Sequence, residues 1–145
     1  MTQSKTAGID TKTLTVGDEM PAFTTPELGV THFVKYAGAS GDYNPLHHDP
    51  EFAKARGMDG IIGHGMLTAG ILGQAIARWA GPINVRRFGA RFSKPVLPKD
   101  VLTCGAKVTK VYDDKGLPRA DLDCWVKTAK GDTVLTGSAT IGPHQ

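Results

Sequence analysis

The 145-residue chain is 40% hydrophobic and 21% charged, the proportions of one soluble globular domain with a core of its own. Its formal charge of +3 and pI near 8.9 come from lysines and arginines dispersed along the chain, beside only 7% aromatic residues. That excess is too weak to argue for nucleic acid, while a local cluster could meet phosphates on a small ligand.

In chain order, the opening "MTQSKTAGIDTK" is polar and has no secretory apolar core, so residues 1–13 read as a disordered lead-in and 14–145 as a single domain. "TLTVGDEMPAFTTPEL" reads as short strands separated by Gly17 and Pro21, after which Thr31 is placed to cap a helix through "HFVKYAGA". The following stretch, "SGDYNPLHHD" from Ser40 to Asp49, cannot be one helix. Pro45 has no amide donor and pushes Asn44 toward extended geometry, so the segment must be a shaped loop. Asp49, Pro50 and Glu51 then form an N-cap, a first-turn proline and a first-turn acid, and Gly57 ends the short helix "PEFAKAR".

The one membrane-like run, Gly60 to Gly81, is interrupted by His64, Gln74 and Arg78, which favours a buried helix over a bilayer span. That helix is expected from Gly65 to about Trp79, apolar on nearly every face and therefore wrapped by other elements. Gly70 and Gly73, each roughly 1 kcal/mol less favourable than alanine in a helix, mark close approach by a sheet or a partner helix. From Ile83 the hydrophobic period falls to two: Phe88, Ala90 and Phe92; Leu102, Cys104, Ala106 and Val108; Ala120, Leu122, Cys124 and Val126. Turns at "DDKG" and "KGD" join these strands as hairpins, giving an α+β fold of antiparallel strands with one long helix. Cys104 and Cys124 fall in the strands and read as free buried thiols of a cytoplasmic protein.

The loop holds the chemistry. Aspartate, asparagine and glycine around a proline suit any tight turn, and they equally suit a proton-transfer site. Asp49 reads as a cap, and His48 points away from whatever His47 faces if the backbone there is extended. His47 and Asp49 with His64 imitate a two-histidine, one-carboxylate metal triad, but ligation would forfeit the Asp49 cap, and no metal is expected. Ser40 has no nucleophile elbow, and neither cysteine stands at a helix start. What remains is acid–base chemistry by Asp42 and His47 beside the free amides of a helix N-terminus at Gly65. One such amide donor facing a developing oxyanion is typically worth about 3 to 4 kcal/mol.

"YAGASGDYNPLHHDPEFAKARGMDGIIGHGMLTAGILG" resembles the MaoC-like, (R)-specific enoyl-CoA hydratase family in its Asp-x-Asn-Pro-x-His pattern followed by His-Gly-Met at a helix start. "VRRFGARFSKPVLPKDVL" also looks like that family's strand and turn, so the resemblance runs from about Val16 to Gly142. It implies a hot-dog fold, an antiparallel sheet around one long central helix, and the reversible hydration of trans-2-enoyl thioesters to (3R)-3-hydroxyacyl thioesters. By the same resemblance Asp42 and His47 form the catalytic dyad and Gly65 supplies the oxyanion contact. Asn44, Ser40 and His64 support them, and His48 has no role.

No cofactor is implied beyond coenzyme A or the pantetheine of an acyl carrier protein, which carries the substrate. Arg86, Arg87, Arg91 and Lys94 are candidates for the carrier's phosphates or acidic surface, a solvated strand face being the alternative. Leu72 and Ile76 are candidates for an acyl pocket, core packing being theirs. The expected partner is a second hot-dog subunit, identical or related, with no nucleic acid and no membrane. Two other readings stay open: a non-catalytic hot-dog subunit of a heteromeric dehydratase, and an acyl-thioester hydrolase. Lys99 stands where the family commonly has glycine, so its turn either differs or carries a strained lysine.

Overall fold

In the computed structural model, residues 8–144 are described. Three helices, α1 (Val30–Ser40), α2 (Pro50–Ala55) and α3 (Gly65–Ala80), accompany five strands: β1 (Phe23–Thr24), β2 (Val85–Phe92), β3 (Leu102–Asp114), β4 (Leu117–Thr128) and β5 (Thr133–Ile141). The strands form one antiparallel sheet in the order β1-β3-β4-β5-β2. Period-two alternation puts Cys104, Ala106, Val108, Leu122, Cys124 and Val126 on the buried face, as strand geometry requires. The β3–β4 hairpin turns through Lys115 and Gly116, both at positive φ (55° and 84°), which matches the right-handed twist of the strands it joins. Burial pushes the Cys104 thiol up to about 11 and that of Cys124 to about 12, so both stay protonated and unreactive.

The sheet curves over one side of α3, burying Thr68, Ala69, Leu72, Ala75, Ile76 and Ala80. This is the hot-dog arrangement. The wrapping is one-sided, however: Met66, Gly70, Gln74 and Arg78 form an exposed stripe at four-residue spacing along the other side, because a helix this apolar still has one face that a single sheet cannot reach. Gly73 lies under the Phe88 ring, where an added Cβ would come within 3.7 Å, whereas a Cβ added at Gly70 would meet no described residue beyond its own helix backbone and chain neighbours within 4 Å. The sheet's close approach therefore accounts for Gly73.

Two expectations are corrected, and the alternative left open at Lys99 is decided. Thr31 lies inside α1 rather than capping it. The cap is Gly29, whose extended backbone precedes Val30 and whose amide donates to His32 Nδ1 at 2.9 Å. Residues 9–13, expected in the lead-in, belong to the packed body: Ile9 donates to the Trp79 carbonyl at 3.2 Å, and Asp10 caps a 3₁₀ turn over Thr11–Thr13. The remainder of the described lead-in is Gly8, which abuts the Ala80 carbonyl; residues 1–7 lie outside the described region. Lys99 does adopt a left-handed conformation, φ 75°, with its amide bonded to the Leu28 carbonyl at 2.6 Å. The glycine-type turn is kept, and a lysine bears the strain of about 1 kcal/mol. No described helix is long and apolar enough to cross a membrane.

Candidate active site

The loop after α1 is assembled from local bonds. Gly41 ends the helix in left-handed geometry (φ 77°), and its amide returns to the Ala37 carbonyl. The Ser40 hydroxyl donates to the Tyr36 carbonyl at 2.7 Å and accepts the Asp42 amide at 3.2 Å. Asn44 Oδ1 accepts the Leu46 amide at 3.1 Å, capping a 3₁₀ turn over Pro45–His47. Asp49 Oδ1 accepts the amides of Glu51 and Phe52, both at 3.0 Å, and so belongs to α2. His48 ends the 3₁₀ turn and is exposed.

This loop sets Asp42 Oδ2 3.8 Å from His47 Nε2. His47 is 8% exposed, and its Nδ1 lies 2.8 Å from the Ile62 carbonyl. A carbonyl only accepts, so Nδ1 carries the proton and Nε2 offers a lone pair toward Asp42. Both facing atoms are therefore acceptors, and 3.8 Å is too long for a direct bond but suits one bridging donor such as water. His64 completes the cluster at 1% exposed, with its ring stacked on His47 at 3.7 Å (interplanar angle 24°) and edge-on to Tyr36 at 4.9 Å. Its Nε2 donates to the backbone carbonyl of Asp42 at 3.1 Å. Gly65, next in the chain, is the first residue of α3, so its amide has no partner within the helix.

A cavity of about 350 Å³ adjoins Gly65, lined among others by Met58, Ile62, Thr68, Phe92 and Lys94. A second, about 400 Å³ and more apolar, lies between α1 and α3, its lining including Tyr36, Ala39, Leu67 and Ile71. The remaining candidates are dispersed. Leu72 and Ile76 have no exposed surface and sit in the core. Arg87 and Arg91 project from exposed β2 on the side opposite Phe88 and Phe92, and Arg86 sits at a bulge with its Nε buried and unpartnered. Lys94 bonds Asp132 at 2.6 Å, and that bond with the lysine's charge holds the Asp132 carboxyl below its usual range.

Asp42, His47 and His64 bring ligand-type atoms within 4.8 Å of one another, a different trio from the one containing Asp49. The stacked imidazoles hold their lone pairs in nearly parallel planes (24° apart), whereas ligands to one ion at about 2 Å must converge on it. One nitrogen of each ring is hydrogen-bonded to a backbone carbonyl, and the other is left as a lone pair. Three contributors were not found from sequence: the Ile62 carbonyl, Tyr36, and Phe92, whose ring would stand 3.2 Å from a Cβ on Gly65. The aromatic at 92 was visible only as an inward strand residue, and a backbone carbonyl has no sequence signature.

The family described as MaoC like domain matches residues 9–118. The chain belongs to the MaoC-like domain family. Among its relatives is the (R)-specific enoyl-CoA hydratase of Aeromonas caviae, 35% identical over 118 residues that cover 79% of this chain and 85% of that protein. The structure of R-hydratase PhaJ1 from Pseudomonas aeruginosa in the unliganded form superposes with a TM-score of 0.82 at 26% identity, covering 95% of this chain and 88% of that one. A chain of the ChsH1-ChsH2 complex from Mycobacterium tuberculosis matches with a TM-score of 0.77 at 24% identity, covering 90% of this chain and 98% of that one; this likeness is one of fold. In this MaoC-like domain the matched span contains the whole loop, α3 and Gly65.

Proposed function

We propose that this protein is a hydro-lyase of fatty-acid metabolism that reversibly hydrates trans-2-enoyl thioesters to (3R)-3-hydroxyacyl thioesters. The observation that carries the reading is the pair of facing acceptors, Asp42 Oδ2 and His47 Nε2, 3.8 Å apart and next to the start of α3. A water between them donates one hydrogen to each and turns its lone pair toward C3 of the enoyl group. The C3–O bond forms as one water O–H bond breaks. The released proton passes to the dyad, and the dyad delivers a proton to C2. Negative charge that develops on the thioester oxygen meets the Gly65 amide and the positive end of the α3 dipole.

No oxidant or reductant enters this balance, and we assign no resident cofactor or metal. The substrate carrier is coenzyme A or acyl carrier protein, which share the phosphopantetheine arm, and the name of the Aeromonas caviae relative favours a coenzyme A ester. We propose that the chain works as a dimer, with itself or a related subunit. In support, β2 is an eight-residue edge strand with Phe88 and Phe92 still 38% and 50% exposed, and an unpaired apolar edge invites a second strand. The buried free thiols suit a reducing compartment, and we place the protein in the cytoplasm.

Purified protein is given crotonyl-CoA, and enoyl absorbance, free thiol and the 3-hydroxy product are followed together. Hydration consumes the enoyl absorbance without thiol release and yields the (3R) product. Thiol release would make it a hydrolase attacking the carbonyl carbon. A folded protein inert toward both coenzyme A and carrier-protein substrates would instead be the non-catalytic subunit.

A further inference from the structure

The segment that leads into α3 pins both dyad members. The Ile62 carbonyl accepts from His47, and two residues later His64 donates to the Asp42 carbonyl. The segment is itself clamped. The Ile62 amide donates to the Leu46 carbonyl at 3.1 Å and the Gly63 amide to the Val96 carbonyl at 2.7 Å. Gly63 also passes so near Phe33 that an added Cβ would stand 3.0 Å from its ring.

Asp42 depends on this clamp more than His47 does. Its side chain is 50% exposed. Its other hydrogen bonds are local and long, 3.2 Å from its amide to Ser40 and 3.3 Å from the Asn44 amide to its carboxylate. Its hydrogen bond to a residue outside the loop runs to His64, 22 positions away.

His64 is suited to hold it in one way only. Nε2 must carry the proton, because the Asp42 carbonyl accepts. Nδ1 is buried without a partner, and a proton there would be a donor with nothing to accept it. Tyr36 and His47 fix the plane of the ring from two sides.

We infer that His64 is a positioning residue: as the neutral Nε2–H tautomer it anchors the Asp42 backbone while its ring buttresses His47, and together these contacts set the spacing of the dyad. The inference rests on the proposed hydratase reading for its catalytic consequence, but not for the contact itself.

The test uses the full chain. In 15N-labelled wild-type protein the imidazole shifts of His64 report a neutral ring protonated on Nε2. A ring protonated on Nδ1 overturns the inference whatever the activity.

With crotonyl-CoA, His64→Phe keeps an aromatic plane against His47 but cannot donate. A displacement of order 1 Å at the reacting groups costs about 100-fold, so kcat falls by about that factor while KM stays within about threefold. His64→Gln restores a donor at similar reach and recovers about tenfold or more of the loss. A purely structural role would lower the melting temperature of both variants without separating their kcat values.

Wild-type kcat in His64→Phe, or His64→Gln no better than His64→Phe, overturns the inference. If the phenylalanine variant does not fold, His64→Gln against His64→Ala makes the same comparison. If wild-type protein hydrates no enoyl thioester, the proposed function fails, and the tautomer measurement still decides whether His64 holds Asp42.

Discussion

The loop Ser40–His47 and the strand β2 both present charge at the surface, and they are built on opposite plans. In the loop the polar groups are tied down: Ser40, Asn44 and His47 each bond to backbone, His64 holds the loop from the start of α3, and Asp42 keeps a carboxylate oxygen facing His47. Strand β2 is exposed along most of its length, and no ion pair among the described residues involves Arg86, Arg87 or Arg91. Fixing a long side chain loses conformational freedom. Such order marks a group that must sit in one place, and loose cations serve binding or solvation.

The largest effect that could break this comparison is expected in the loop. Asp42→Asn and His47→Gln should each lower kcat by about a thousandfold, within the range for lost acid–base catalysis, with melting temperature little changed. His48→Gln should stay within about twofold, since it removes no such group. Equal losses from all three would dissolve the dyad.

On β2, Phe88→Glu should weaken the dimer by at least about tenfold, because a charge placed in an apolar interface must be desolvated; analytical ultracentrifugation reads the shift. An unchanged dimer would move the interface elsewhere.

Arg87→Glu with Arg91→Glu should raise KM for an acyl-CoA by about five- to tenfold and flatten its salt dependence while leaving kcat near wild type, as expected of exposed charge contacts. An unchanged KM would make these arginines a solvated face.

Lys99→Gly, in the turn after β2, should raise stability by up to about 0.5 kcal/mol, the relieved left-handed strain less the added freedom of the unfolded chain; denaturant unfolding measures it. Smallest of all is the effect of a chelator, which should leave activity unchanged. Loss on chelation with recovery on adding iron or zinc would show that the stacked histidines do open to an ion.

The features legible in sequence were those decided by near neighbours. Asp49 beside Pro50 and Glu51 is a cap wherever that peptide goes, and the start of α3 at Gly65 follows from where the helical pattern begins. Period-two alternation likewise identified the inward residues of β3 and β4 before any pairing was known. Thr31 misled because it is a good cap type lying within two residues of the actual start; Gly29 caps instead, with its amide bonded to His32 rather than through a side chain of its own.

The site shows the same division. The motif carried Asp42, His47 and Gly65 by resemblance, but the bonds that fix their geometry span 15 residues from His47 to Ile62 and 22 from Asp42 to His64. Adjacent His47 and His48 have the same chemistry, and only packing buries one against His64 and leaves the other in solvent.

The long helix, the antiparallel strands after it, the break at Pro45 and the inventory of proton carriers were legible in residue order alone, because backbone preference and hydrophobic period are local properties. Only the tertiary structure decided which nitrogen of each histidine holds its proton and which face of α3 stays bare. Those depend on carbonyls and surfaces brought together from distant parts of the chain, which the order of residues alone does not record.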